Sequence, residues 1–310
     1  MEISLFLSSA VIAGTPLLFA TLGCVLGEKV GNLNLGIEGM MLMGAIGGFI
    51  IGYNTGNVIL AFLCSGLLGA VGALIYAVLT VSLRASQVVT GLALAIFGSG
   101  FSSFIGKAYV GQTLSDNFRN ALAPAKIPLI SDIPFIGAAL FNQSAFVYFG
   151  YLCAIVIFIY LNFTKYGLNM KMIGENPYAA DAAGINVSLY KYANLLIGGA
   201  LCGLGGSFLS LVYIPSWAEN VTAGRGWIAV ALVIFIGWNP LKAIFGAILF
   251  GGLDILGIRL QGTGIEVNQY FIAMLPYAAT IIVLVLGGLK KNNLNSSPQA
   301  LGEPYFREDR

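Results

Sequence analysis

The chain has 310 residues and only 28 charged side chains, 15 basic and 13 acidic, for a net charge of +2. Hydrophobic residues make up 58%, and the mean hydropathy is +0.87. Ordinary globular chains carry about 25% charged residues, so 9% leaves too little polar surface for a water-soluble domain of this size. A soluble enzyme, a disordered chain and a nucleic-acid binder are excluded, the last because the near-neutral balance creates no field for a polyanion. The composition is that of an integral membrane protein.

Charge-free runs at 39–83, 85–106, 133–164, 192–218 and 267–289 place the membrane segments, since a spanning helix needs about 20 apolar residues at about 1.5 Å rise each. With turn signals as punctuation, nine segments are expected, near 3–26, 35–52, 58–83, 87–105, 144–164, 192–214, 227–237, 241–258 and 270–289. The fold class is therefore all-α, a polytopic membrane protein of eight to ten helices. The seventh segment is too short to cross a core of about 30 Å and reads as a half-helix. The stretch before Cys24 lacks a basic n-region and is too long for a signal peptide, so the first segment reads as a span.

Residues 1–290 form the membrane domain and 291–310 a tail. The connection at 106–143 carries Pro124, Pro128 and Pro134 and suggests an irregular external cap. The connection at 165–191 holds a compact helix signal: Asn176 as cap, Pro177 at the first helical position, an alanine-rich run, and Gly184 as terminator. So short a helix is marginal alone in water and is expected to dock on a partner. Threading the segments with the C-terminus inside puts ten basic residues on the cytoplasmic face, Lys29, Arg84, Lys165, Lys171, Lys191, Lys242, Lys290, Lys291, Arg307 and Arg310. Five fall outside, Lys107, Arg119, Lys126, Arg225 and Arg259. That is the positive-inside bias.

Glycine spacings at Gly44, Gly48 and Gly52, and at Gly199 and Gly203, suit close helix packing. The stretch Gly31-Asn32-Leu33-Asn34-Leu35-Gly36-Ile37-Glu38-Gly39 is a poor continuous membrane helix, and irregular backbone at depth is tolerated only where it is buried in protein or lines a cavity. Asn32, Asn34 and Glu38 are candidates for a substrate pathway. For Glu38 a structural hydrogen bond to a neighbouring helix is the equal alternative. A comparable interruption, Gly224-Arg225-Gly226-Trp227, leads into the short segment and on to Trp238-Asn239-Pro240. Two such segments entering from opposite sides are what a weak inverted repeat would leave behind, and in transporters they point to the pathway. Trp227 is a candidate there. Asp254 reads as pore-lining or paired with another helix, and Gln87 and Thr90 as pathway or helix-capping residues.

The chain has no histidine, which removes His-based catalysis, His-ligated metals and His proton relays. Cys24, Cys64, Cys153 and Cys202 lie singly in apolar runs without paired spacing. No Gly-x-x-x-x-Gly-Lys-[Ser/Thr] loop is present, so the chain has no P-loop route to ATP hydrolysis. No metal site, cofactor or catalytic residue is expected.

The stretch Gly31–Leu42 resembles the early signature of permease subunits of bacterial nucleoside ABC importers, within the branched-chain amino acid and ribose-type permease superfamily. Gly174-Glu175-Asn176-Pro177 with Ala182-Ala183-Gly184-Ile185 resembles that group's cytoplasmic coupling segment. Gly224-Arg225-Gly226-Trp227-Ile228-Ala229-Val230-Ala231 with Trp238-Asn239-Pro240 resembles its late signature. The likeness spans nearly the whole chain. It implies a multi-pass permease of the bacterial cell membrane that moves nucleosides, of the purine type, by alternating access. It also implies a second related permease, two separate ATPase subunits, and an extracytoplasmic nucleoside-binding lipoprotein. Coupling to the ATPases would fall on Glu175, Asn176, Pro177, Ala180, Ala183, Gly184 and Ile185. The alternatives are an ion-coupled secondary transporter, an ABC permease for a sugar or other small polar solute, and a passive channel, which the lack of paired Asn-Pro-Ala elements disfavours.

Overall fold

The computed structural model describes residues 2–126, 137, 140–262, 271, 274–275, 277–282, 285 and 297–308. Three helices form the interior. They are α1 (Glu2–Lys29), α2 (Ile37–Thr55) and α9 (Val187–Phe208), the last prolonged by a π-helical turn at Leu209–Tyr213. The most apolar window of α1 is 94% buried, against 33% for each of α3 (Val58–Ala77), α4 (Gln87–Gly106) and α6 (Ala145–Phe163). Helices apolar all round belong either in a protein core or against lipid, and this bundle uses both. α1, α2 and α9 are wrapped by α3, α4, α6 and α11 (Pro240–Gly262), whose outer faces stay apolar and exposed.

Among the described residues seven helices are long and apolar enough to cross a membrane, and an eighth apolar helix, α10 (Arg225–Ile236), is too short. Eight of the nine expected segments are thus helices. The ninth, 270–289, lies largely outside the described residues, as do Pro128 and Pro134 in the 106–143 connection. That connection holds a short helix α5 (Asp116–Ala121), and β1 (Ala125–Lys126) pairs antiparallel with β2 (Asn142–Gln143). This side is the loop end of the bundle. The opposite side, the tail end, carries α7 (Lys165–Glu175), α8 (Pro177–Ala182) and the tail residues 297–308.

Glycine sets the interior spacing. A Cβ added at Gly203 of α9 would collide with the Ser65 carbonyl oxygen of α3, and one at Gly44 of α2 would collide with Gly203 itself. The three backbones meet where a side chain would hold them apart, as close packing of membrane helices requires.

Two boundaries differ from expectation. The helix expected from residue 192 begins at Val187, because the Asn186 side chain accepts from Leu189 N at 3.0 Å and starts it earlier. Lys191, read as loop, is a buried residue of that helix. Residues 165–175, also read as loop, form α7: Thr164 caps it by accepting from Gly167 N at 3.1 Å, and Gly167, Met170, Ile173 and Gly174 bury one face.

Candidate functional site: an interrupted helix at membrane depth

After the π turn of α9 the chain leaves helix at Ile214 and does not resume it until Arg225. Trp217 sits at the loop end, its ring 5.9 Å from that of Phe49, while Gly226 N donates to Glu38. Phe49 and Glu38 are eleven residues apart on α2, about 17 Å along its axis. Residues 217–224 therefore descend deep into the bundle as irregular backbone. The path needs three consecutive-turn residues at positive φ, Asn220 (52°), Ala223 (47°) and Gly224 (82°).

Glu38 terminates this descent. One carboxylate oxygen accepts from Thr222 Oγ1 at 2.6 Å and Gly224 N at 2.8 Å, and the other from Gly226 N at 2.6 Å. The first turn of a helix carries unpaired N–H groups and a partial positive charge, and a buried carboxylate answers both. Glu38 is thus the N-terminal anion of α10, supplied from the second residue of α2. The approach is close: a Cβ at Gly226 would lie 2.6 Å from Glu38 Cα, so glycine is required there.

A second carboxylate holds the other end. Beyond the left-handed cap Gly237 (φ 61°), Trp238 Nε1 donates to Glu28 Oε2 at 2.6 Å, and Lys29 Nζ lies 5.7 Å from the Trp238 ring centre. Twelve residues span about 18 Å, so α10 is a half-helix clamped from mid-depth to the tail end. Sequence reasoning passed over Glu28. Its only signal is an acid next to Lys29 at the end of an apolar run.

Around the break lies a half-open cluster. Arg225 Nη2 pairs with Asp254 Oδ2 at 2.9 Å, with side chains 16% and 30% exposed, and its guanidinium stands 5.7 Å from the Tyr213 ring centre. A Cβ at Gly224 would lie 3.6 Å from Tyr277 Oη and 4.0 Å from Trp227 Cδ1. Arg225 Nε is buried and has no hydrogen-bond partner among the described residues. Three aromatic side chains and an ion pair gathered at the break are the kinds of group that suit a flat polar solute.

Of the expected pathway residues, Glu38, Trp227 and Asp254 come together at this break. Asn32, Asn34, Gln87 and Thr90 do not; they lie toward the tail end. Asn34 Oδ1 accepts from Gly36 N at 2.8 Å and shapes the turn into α2. Gln87 Oε1 accepts from Leu33 N at 2.7 Å and its Nε2 donates to Glu303 O at 3.3 Å, so it ties the α1–α2 connection to the tail. Asn32 is buried beside Tyr76, and Thr90 is buried in the first turn of α4. Arg225, Tyr213 and Tyr277 were missed as site residues. Arg225, expected on the outer side, instead lies at the break, paired with Asp254.

At the tail end α8 has the expected cap: Asn176 Oδ1 accepts from Ala179 N at 3.0 Å, with Pro177 at the first position and Gly184 at φ 81°. Glu175, Asn176, Ala183 and Gly184 are exposed and Ile185 is half-buried, whereas Pro177 and Ala180 are buried and serve packing. No group of three or more metal-ligating side chains occurs among the described residues.

An all-helical membrane bundle with a clamped half-helix at mid-depth and a short exposed helix at one end has the build of a transport permease. The family described as the branched-chain amino acid transport system permease component matches residues 6–288, and the chain belongs to it. It is a transmembrane permease component and not an enzyme. Its relatives include the nucleoside ABC transporter permease protein NupC of Lactococcus lactis subsp. cremoris, 33% identical over 92% of each chain. The guanosine ABC transporter permease protein NupQ of Bacillus subtilis is 30% identical over 99% of this chain and 98% of its own. TsgC13 of Haloferax volcanii, an ABC transporter permease provisionally named for glucose, is 35% identical over 97% of each chain. The first two organisms each hold a second matching permease chain, NupB and NupP.

Proposed function

We propose that this chain is the membrane subunit of an ATP-driven importer of nucleosides, of the purine type, working by alternating access in a bacterial cell membrane. Its partners are a second, related permease, two separate ATPases and an extracytoplasmic nucleoside-binding lipoprotein. The observation that carries the reading is the aromatic and charged cluster at the break before α10. Tyr213, Trp227 and Tyr277 gather there beside the Arg225–Asp254 pair, aromatic groups of the kind that stack on a base and charged groups of the kind that bond ribose hydroxyls. The nucleoside and guanosine permeases among its full-length relatives support the same substrate class, and the second chain in each of those organisms supports a paired permease.

The tail end faces the cytoplasm in this reading. It gathers Lys29, Lys171, Arg84 and Arg307, in keeping with the positive-inside rule, and it presents the exposed residues of α8 to the ATPases. Ion coupling is less well supported, because Glu28, Glu38 and Asp254 are each already engaged by a donor. A sugar is the second reading, favoured by the glucose-named relative.

Vesicles containing this chain with its partner permease and ATPases decide the matter. ATP-dependent uptake of labelled guanosine, competed by adenosine and inosine and untouched by ionophores, is expected. Uptake of glucose in preference, or uptake driven by an ion gradient without ATPase, would overturn the proposal.

A further inference from the structure

The tail is not a loose appendage of the bundle. Ala300 N donates to Gly174 O at 3.0 Å, where α7 ends, and Gly302 N donates to Gly31 O at 3.2 Å, in the α1–α2 connection. Glu303 O accepts from Gln87 at the start of α4. The Tyr305 ring lies 5.3 Å from that of Tyr178 on α8, and the Arg84 guanidinium lies 4.1 Å from the Phe306 ring centre. Arg307 reaches Asp181 on α8 at 3.5 Å. A dozen residues thus touch α7, α8, the α3–α4 turn, the α1–α2 connection and α4.

A six-residue helix cannot hold its place by its own hydrogen bonds. The sequence suggested that a partner protein supplies the support; in the structure much of it comes from the chain's own tail. The same tail is bonded to Gly31 and Gln87. Gln87 in turn holds Leu33, five residues before Glu38, whose carboxylate sets the start of α10. From α8 to the break before α10, an unbroken series of bonded residues therefore runs through the tail.

We propose that residues 297–308 form a coupling strap: they hold α8 in position on the tail end and transmit its displacement to the α1–α2 connection and α4. The transport role rests on the reading of α8 as the ATPase-docking helix, whereas the holding role stands without it. Two readouts separate them. The first is amide hydrogen exchange of the purified permease alone, comparing the full chain with a chain ending at residue 296 and with Arg307→Glu, which sets like charges together at Asp181. Amides of 177–186 are expected to exchange at least tenfold faster in both variants while α1, α2 and α9 keep their protection. Unchanged exchange of 177–186 in the Arg307→Glu chain, which keeps the tail and has no cause to misfold, would overturn the strap. The second is uptake per ATP hydrolysed in vesicles carrying the ATPases, where both variants and Gln87→Leu are expected to lose at least tenfold. Faster exchange of α8 with undiminished uptake per ATP would overturn the transmitting role. Failure of the ATPases to bind even the unaltered chain would count against the proposed function and leave the exchange result standing.

Discussion

At the scale of single residues, the acids at depth define the site by what they hold. Glu38 uses both oxygens on three donors of the α10 start, so it acts on any solute through the position of that helix. Glu38→Gln turns one acceptor into an NH₂ that faces a donor and leaves a buried N–H or hydroxyl unsatisfied, at a cost of about 1–3 kcal/mol. Thermal unfolding in detergent is expected to shift down and uptake to fall with it; an unchanged melting curve would show that the three hydrogen bonds do not hold α10. The Arg225–Asp254 pair is only partly exposed, and removing one partner strands the other charge. Arg225→Ala is expected to be less stable than the double variant Arg225→Ala/Asp254→Ala, with a coupling of about 0.5–3 kcal/mol from a double-mutant cycle. Both variants should lose uptake, because neither restores hydrogen bonds to a ribose. Additive losses of stability would mean that the pair is an accident of proximity.

At the scale of elements, the helices and their punctuation were legible because membrane crossing needs long charge-free runs and helix ends need particular residues. Asn176, Pro177 and Gly184 act in α8 as their chemistry dictates. The α7 helix was illegible to the same reasoning. Lys165, Lys171 and Glu175 mark it as an exposed connection, and only its narrow buried face shows it to be a helix. The break before α10 could be located from its glycines, but its depth could not. Depth depends on contacts such as Gly226 with Glu38, 188 residues apart in sequence, and no local pattern encodes those. For the same reason Gln87 and Asn34 read as pathway residues, although their partners turn out to be backbone groups that build the tail end. The exposure pattern of α8 also decides which residue can test docking. Ala180 is fully buried and would report on packing, whereas Ala183 is exposed. Ala183→Arg is expected to leave the melting curve within about 0.5 kcal/mol of the unaltered chain and to abolish co-purification of the ATPases. Retained co-purification would move the docking surface off α8.

At the scale of the whole molecule, charge, tail and power source require one another. Positive residues collect at the tail end, where Arg84 and Arg307 are also used to fasten the tail, so the charges that favour retention on the cytoplasmic side belong to the surface that carries α8. In the proposed importer an ATPase can act only where ATP is, so orientation and mechanism stand or fall together: a permease inserted the other way would expose α8 to the outside and could not be driven. The loop end, with α5 and the β1–β2 pair, would then receive the solute, and the break before α10 would stand between it and the cytoplasm. The prediction follows on a variant lacking Cys24, Cys64, Cys153 and Cys202. A cysteine placed at Lys126, exposed at the loop end, should react with a membrane-impermeant maleimide on intact cells. One placed at Arg307, whose side chain is 79% exposed, should react only after the membrane is permeabilised. The reverse pattern would invert the bundle and, with it, exclude every role assigned to α8 and the strap in ATP-driven import. Labelling of both sites from outside would place the tail and the loop end on the same face and would overturn the arrangement just as surely.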